Sequence, residues 1–306
     1  MSVRGDLEWG TIPGLVRSAG ERYGGREAVA DGRTRITYAE LAARVERSAA
    51  ACLATGVRAG DRVAVWAPNS LDWIVAALGA VTAGAVLVPL NTRFKGTEAA
   101  DVLGDPAPDE AEWTTWKAFL AEGDRVPAER VRARADAIAP DSPSDIVYTS
   151  GTTGRPKGAV ISHAQTLRCY AEWAALAGLA EGDRYLVVNP FFHTFGYKAG
   201  VLACLMRGAV IVPQSVFTVD TVLANVAAER ISVLPGPPTL HQSLLDHPAR
   251  AAHDLSSLRL VVTGAAVVPL PLVERLRAEL GVGTVLTAYG LSEASGLVTM
   301  CRRDDP

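Results

Sequence analysis

Apolar and polar positions follow the same plan in two stretches of this chain. The first reads GDRVAVWAP (Gly60–Pro68), then a helical apolar run, then GAVLVP (Gly84–Pro89). The second reads GDRYLVVNP (Gly182–Pro190), then another apolar run, then GAVIVP (Gly208–Pro213). Gly60 to Gly84 is 24 residues and Gly182 to Gly208 is 26. Each unit predicts strand, helix, strand. The strands are too uniformly apolar to carry a wet face, which is how a parallel sheet covered on both sides reads. Two such units predict two related α/β subdomains, one over residues 1–140 and one over 141–306.

Beyond their second strands the units differ. After Pro213 the pattern predicts a helix over Val219–Glu229 and a strand over Ile231–Pro235. After Pro89 a helix begins at Phe94–Leu103 and then meets GDPAPDEAEW, with no strand behind it. A deletion at about residues 103–109 is the expectation, and Gly104–Asp109 reads as a Pro/Asp/Gly loop. Farther on, Glu129–Ala139 predicts a helix, Ala139–Asp145 a linker and Asp145–Tyr148 a short strand. Ser162 and Gln165 form an S-x-x-Q capping box that opens a helix to about Leu176. Leu258–Val262, Pro271–Leu280 and Thr284–Thr287 read as strand, helix and strand.

Trp73–Thr92 is uncharged and long enough to span a membrane. Ala83-Gly84 breaks it, however, and a β-rich run stops at Pro89, so a buried helix followed by a buried strand is expected. Nothing at the N-terminus resembles a signal peptide. Charged residues are 21%, hydrophobic residues 49% and the net charge −3, a globular balance that offers no general attraction to nucleic acid or anionic lipid. Cys52, Cys169, Cys204 and Cys301 lack CxxC spacing and read as reduced thiols, consistent with a cytoplasmic protein. The oligomeric state is left open.

Chemistry concentrates in YTSGTTGRPKG, Tyr148–Gly158, directly after a strand. Glycines let backbone N–H groups approach phosphate oxygens, hydroxyls add donors, and Lys157 adds a positive charge. The spacing does not fit G-x-x-x-x-G-K-[ST], so this is a different phosphate loop. Such a loop taken alone is equally a mobile polar segment.

The sequence resembles the AMP-forming adenylate synthetases: acyl-CoA synthetases, luciferases and peptide-synthetase adenylation domains. TSGTTGRPKG matches their signature loop. In family order come NPFFHTFG (Asn189–Gly196), PGPPT (Pro235–Thr239), TGAA (Thr263–Ala266) and YGLSE (Tyr289–Glu293). The wording around NTRFKGTEAADVL and NPFFHTFG looks most like actinobacterial acyl-CoA ligases of steroid degradation, the HIP-CoA type. The resemblance implies a two-step reaction with ATP, Mg2+ and CoA. A carboxylate first gives acyl-AMP and pyrophosphate, and the CoA thiol then takes the acyl group.

It also implies roles. Thr149, Ser150, Gly151, Thr152, Thr153, Gly154 and Lys157 would hold ATP phosphates. Glu293, with Thr153, would coordinate magnesium. Gly264, Ala265, Ala266, Tyr289, Gly290 and Ser292 would line the nucleotide, Ser292 standing where the family has threonine. His193, Phe195, Gly196, Pro237 and Val267 would meet the acyl group, with His193 as its gate. His193, Lys157 and Glu293 are the expected catalytic set. FFHTFG carries no aspartate to pair with a substrate ammonium, so a hydrophobic acid without an α-amine is expected.

The family's TGD motif, hinge and small C-terminal lid domain, with its catalytic lysine, have no counterpart within these 306 residues. The expectation is a shortened large domain with impaired activity. A non-catalytic nucleotide- or acyl-binding pseudoenzyme and a carrier-protein-loading adenylation domain are the alternatives.

Overall fold

In the computed structural model, which describes residues 4–103, 114–149 and 156–305, two sheets collect the strands. Chain order gives β1 (Glu27–Asp31), β2 (Thr34–Thr37), β3 (Arg62–Val65), β4 (Val86–Pro89), β5 (Pro143–Thr149) and β6 (Lys157–Ser162). Then come β7 (Arg184–Val187), β8 (Val210–Pro213), β9 (Val233–Gly236), β10 (Leu260–Gly264), β11 (Thr284–Tyr289) and β12 (Thr299–Met300). The larger sheet has the order β12-β11-β10-β9-β7-β8-β1-β2 and the smaller β3-β4-β5-β6. Pairing is parallel in the middle of each. Antiparallel partners close the ends, β2 and β12 on one sheet and β6 on the other.

The repeat is real in three dimensions. Arg62 pairs with Val86 and Arg184 with Val210, the same register in both units. Each Gly-Asp turn is built alike. Gly60 N–H donates to the Gly84 carbonyl at 2.9 Å, and Gly182 N–H to Gly208 at 3.0 Å. Asp61 accepts from Arg58 N–H, and Asp183 from Ala180 N–H, both at 2.8 Å. All four of these glycines have positive φ, which the turn requires.

The two sheets differ, among the described residues, at the edge where the sequence predicts a missing strand. In the second unit β9 flanks β7, and Tyr185–Val187 are buried. In the first, no described strand pairs with the outer edge of β3. Only Val65 of β3 is fully buried, and Trp66 just beyond it is 48% exposed. Residues 104–113, where the break was expected, lie outside the described residues.

A division at residue 140 does not match the sheets. The hairpin β1–β2 leaves the first half of the chain to extend the larger sheet. β5 and β6, from the second half, complete the smaller one. The cause is pairing: β5 finds the parallel edge of β4, and β1 finds that of β8.

The helices run α1 (Gly5–Glu8), α2 (Ile12–Tyr23), α3 (Tyr38–Ala54), α4 (Leu71–Thr82), α5 (Gly96–Leu103), α6 (Trp116–Glu122) and α7 (Ala128–Asp136). They continue with α8 (His163–Ala177), α9 (Thr194–Gly196), a π-helix at Tyr197–Leu202, α10 (Ala203–Arg207), α11 (Val219–Ala228), α12 (Pro238–Leu245) and α13 (Leu270–Leu280). α3, α4, α8 and α10 bury against the main core shared with strands of both sheets, around Trp73, Trp173, Tyr170, Tyr185, Tyr197 and Phe191. Burial of such a side chain is worth about 1.5–3 kcal/mol. α11, α12 and α13 make a second core on the other face of the larger sheet. The Trp73–Thr92 stretch folds as expected, helix then strand. No described helix is long and apolar enough to cross a membrane. The Ser162–Gln165 capping box forms in both directions.

Candidate functional site

The phosphate-type loop is carried by an antiparallel hairpin. β5 ends at Thr149 and β6 begins at Lys157, and these two residues are partners in the ladder. Ser150, Gly151, Thr152, Thr153 and Gly154 lie outside the described residues. The hairpin therefore presents Thr149 and an exposed Lys157 side by side at the end where its connecting loop begins and ends. Thr149 Oγ1 lies 3.4 Å from Glu293 Oε1, across 144 residues of sequence. Glu293 sits in a single 3-10 turn, Ser292–Ala294, and is exposed. Two motifs read separately from the sequence thus share one spot.

Next to that spot a cavity of about 260 Å³ opens. Of the expected residues, His193, Phe195, Gly264, Ala265, Tyr289, Gly290 and Ser292 line it. Its wall also includes Asn189 and Thr194 of the NPFFHTFG motif, and Tyr170, Trp173, Gly296 and Leu297, which lie outside the motifs. Among the described residues, none that lines it is acidic. The cavity wall strips hydration from His193 and lowers its pKa, although the ring keeps a solvent-facing edge.

Three expected acyl residues are elsewhere. Pro237 caps the start of α12, which packs on the far core. Val267 is 90% exposed. Ala265 adopts φ +64°, unusual for a residue with a Cβ, and the turn throws Ala266 and Val267 outward into a separate surface cleft beside Tyr289. Gly196 is not on the wall either. A Cβ there would lie 2.2 Å from the Pro190 carbonyl oxygen, so this glycine lets the His193 segment fold back on itself.

The braces of the site come from far away in sequence. Asn69, in the loop after β3, donates to the carbonyls of Val187 and Asn189 at 3.1 and 2.9 Å and accepts from Phe191 N–H at 2.7 Å. One buried amide thereby fixes the segment that leads to His193. Tyr170 donates to the Ser295 carbonyl at 3.0 Å and holds the turn carrying Glu293. Gly296, at φ +98°, is pinched between Tyr170 and Thr194. At the start of α8, His163 Nδ1 accepts from Ile12 N–H at 3.1 Å, and burial depresses its pKa to about 4. The only sequence signal for Asn69 is its place in the APNS loop that ends the first repeat strand. Tyr170 gave none.

Comparison with known proteins places these features. A family model described as AMP-binding enzyme matches residues 16–306. A methyl-dioxo-octahydroindenyl-propanoyl:CoA ligase of Mycobacterium tuberculosis is 49% identical over 89% of this chain and 60% of its own length. The ligase of the same description from Rhodococcus jostii is 45% identical over 96% of this chain and 65% of its own. That second alignment runs over 338 positions. Since 96% of 306 residues is about 294, some 44 positions have no residue of this chain opposite them. Among solved structures, the N-terminal domain of FACL13 from Mycobacterium tuberculosis superposes with a TM-score of 0.80 at 27% identity, over 96% of this chain and 79% of that one. The chain spans less than two thirds of the length of both ligases.

Proposed function

The chain belongs to the AMP-binding enzyme family, and from that premise we propose that it is the large domain of an AMP-forming acyl-CoA ligase acting on a hydrophobic carboxylic acid. One observation carries this reading: the Thr149–Lys157 hairpin end meets Glu293 at the edge of a cavity with no acidic residue among the described residues of its wall.

The residues divide the work. Lys157 sets a positive charge where ATP phosphates would lie, and Thr149 adds a hydroxyl. Ser150–Gly154 supply the remaining donors by their sequence. Negative charge develops on phosphate oxygens as a carboxylate oxygen bonds to the α-phosphorus and pyrophosphate departs, so fixed cations and donors there lower the barrier. Glu293 and Thr149 offer hard oxygens. No described group of three or more His, Cys, Asp or Glu side chains could hold a metal unaided. That donor set fits Mg2+, which keeps waters and takes one or two carboxylates beside substrate phosphates. His193, with its pKa lowered, stands at the cavity mouth to orient the incoming carboxylate.

For the acid, the acid-free wall favours a substrate without an ammonium, since a buried ammonium would lack a partner. The Mycobacterium and Rhodococcus ligases that resemble this chain are named for a fused-ring propanoyl group, so a bicyclic ring-bearing propanoate is the class we assign. In the second step the CoA sulfur bonds to the acyl carbon and AMP leaves. We also place the missing positions of the first repeat between α5 and α6.

ATP–pyrophosphate exchange, with a panel of ring-bearing, fatty and α-amino acids, tests the reading. Exchange led by a ring-bearing propanoate is expected. Exchange led by an α-amino acid would overturn the substrate class.

A further inference from the structure

Lys198 is a lysine with no exposure at all. It lies in the π-helix Tyr197–Leu202, five residues past His193. Its ammonium forms an ion pair with Asp145 at 2.8 Å, and both side chains are buried to within 1%. Lys198 also donates to Thr166 Oγ1 on α8 at 2.9 Å, and Asp145 accepts from Ser144 at 2.6 Å. Asp145 lies on β5, four residues before Thr149. The pair therefore ties the smaller sheet to the π-helix that follows β7 of the larger one. One end belongs to the strand that carries the phosphate hairpin, the other to the segment that carries the His193 gate.

Stability does not account for such a pair. Desolvating two charges costs several kcal/mol each, and apolar replacements of similar volume are commonly as stable or more so. Burial here pulls the Lys198 pKa down, while Asp145 opposes that shift. The other described titratable groups near the pair are His163, Cys169 and Tyr170 of α8 and the buried hydroxyl of Tyr197. The backbone is unusual as well. A π-turn widens the helix by one residue and is frequent at functional sites. What the pair does supply is geometry, because an ion pair with one good arrangement fixes two elements where apolar contacts would let them slide.

We propose that the Lys198–Asp145 pair is a positioning element that couples the phosphate hairpin on the smaller sheet to the His193 gate in the segment after β7. Filling the hairpin with Mg-ATP then sets where the gate holds its carboxylate. This rests on the ligase reading, and its test separates the two.

The decisive variants are Lys198→Met, and Lys198→Met combined with Asp145→Leu. The single variant leaves Asp145 buried and unpaired, so its melting temperature falls. The double variant removes both charges and recovers wild-type stability. Amide hydrogen exchange of the full chain is then read with and without saturating Mg-ATP. In the wild type, Mg-ATP slows exchange in β5–β6 and also in 189–203. In the double variant it slows β5–β6 only. Pyrophosphate exchange, in the same variant, keeps its KM for ATP but loses about tenfold or more in kcat, the scale expected of a small misplacement of reacting groups. Equal slowing of 189–203 in wild type and double variant would overturn the proposal, as would slowing confined to β5–β6 in the wild type. A folded wild type that shows no slowing anywhere would overturn the ligase reading and this inference with it.

Discussion

At the scale of single residues, the site depends on atoms that leave no room for change. Gly296 combines φ +98° with a direction in which a Cβ would lie 2.3 Å from Tyr170 Oη. Gly296→Ala is expected to lower stability by about 1–3 kcal/mol and to loosen the Glu293 turn. Thermal melting and the affinity for Mg-ATP check both. Two buried histidines set a pH response. His163 and His241 are each held to about 4 by loss of hydration. The ring nitrogens of His241 have no partner in hydrogen-bonding geometry among the described residues. The unfolded chain takes up these protons near pH 6.5 and the folded chain only near 4. The folded state therefore keeps its full stability above about 6.5 and loses it as pH falls between those values, by roughly 3 kcal/mol for each histidine. Melting temperature is expected to rise with pH across that window, and less steeply in His241→Leu. An unchanged slope in that variant would contradict the assignment.

At the scale of elements, the two repeats share register and turns but differ at one edge. β7 is covered by β9, whereas β3 has no described partner on its outer side. Amides of β3 are expected to exchange faster than those of β7, since unpaired edges open at low cost. Equal protection would mean that something outside the described residues covers β3. The repeat was legible because Gly-Asp-Arg and Gly-Ala-Val fix turns and strand starts locally. The hairpin β1–β2 and the crossing of β5 and β6 to the smaller sheet were not. Which sheet edge a strand joins depends on partners far along the chain. The π-helix was hidden as well, as no residue in YKAGVL demands a wide turn by itself.

At the scale of the whole molecule, residues from distant parts of the chain converge where the two sheets face each other. Thr149, Lys157, His193 and Glu293 were readable because their motifs are contiguous. Pro237 and Val267, which the resemblance assigned to the acyl group, lie off this cavity because α12 and the Ala265 turn carry them away from it. Asn69 and Tyr170 act only through contacts formed on folding. Asn69→Ala would leave two carbonyls and one N–H of the His193 segment without their partner. It is expected to cost about 1–3 kcal/mol and to weaken acid binding more than nucleotide binding, as separate titrations would show. The central claim is that hairpin and cavity form one continuous site for nucleotide and acyl group. Calorimetric titration with a ring-bearing acyl-sulfamoyl-adenosine, an unreactive stand-in for acyl-AMP, tests this most directly because it needs no turnover. Binding is expected to be tighter than that of sulfamoyl-adenosine or the free acid, and to weaken in His193→Ala. A folded chain that binds the conjugate no better than either half would contradict the account.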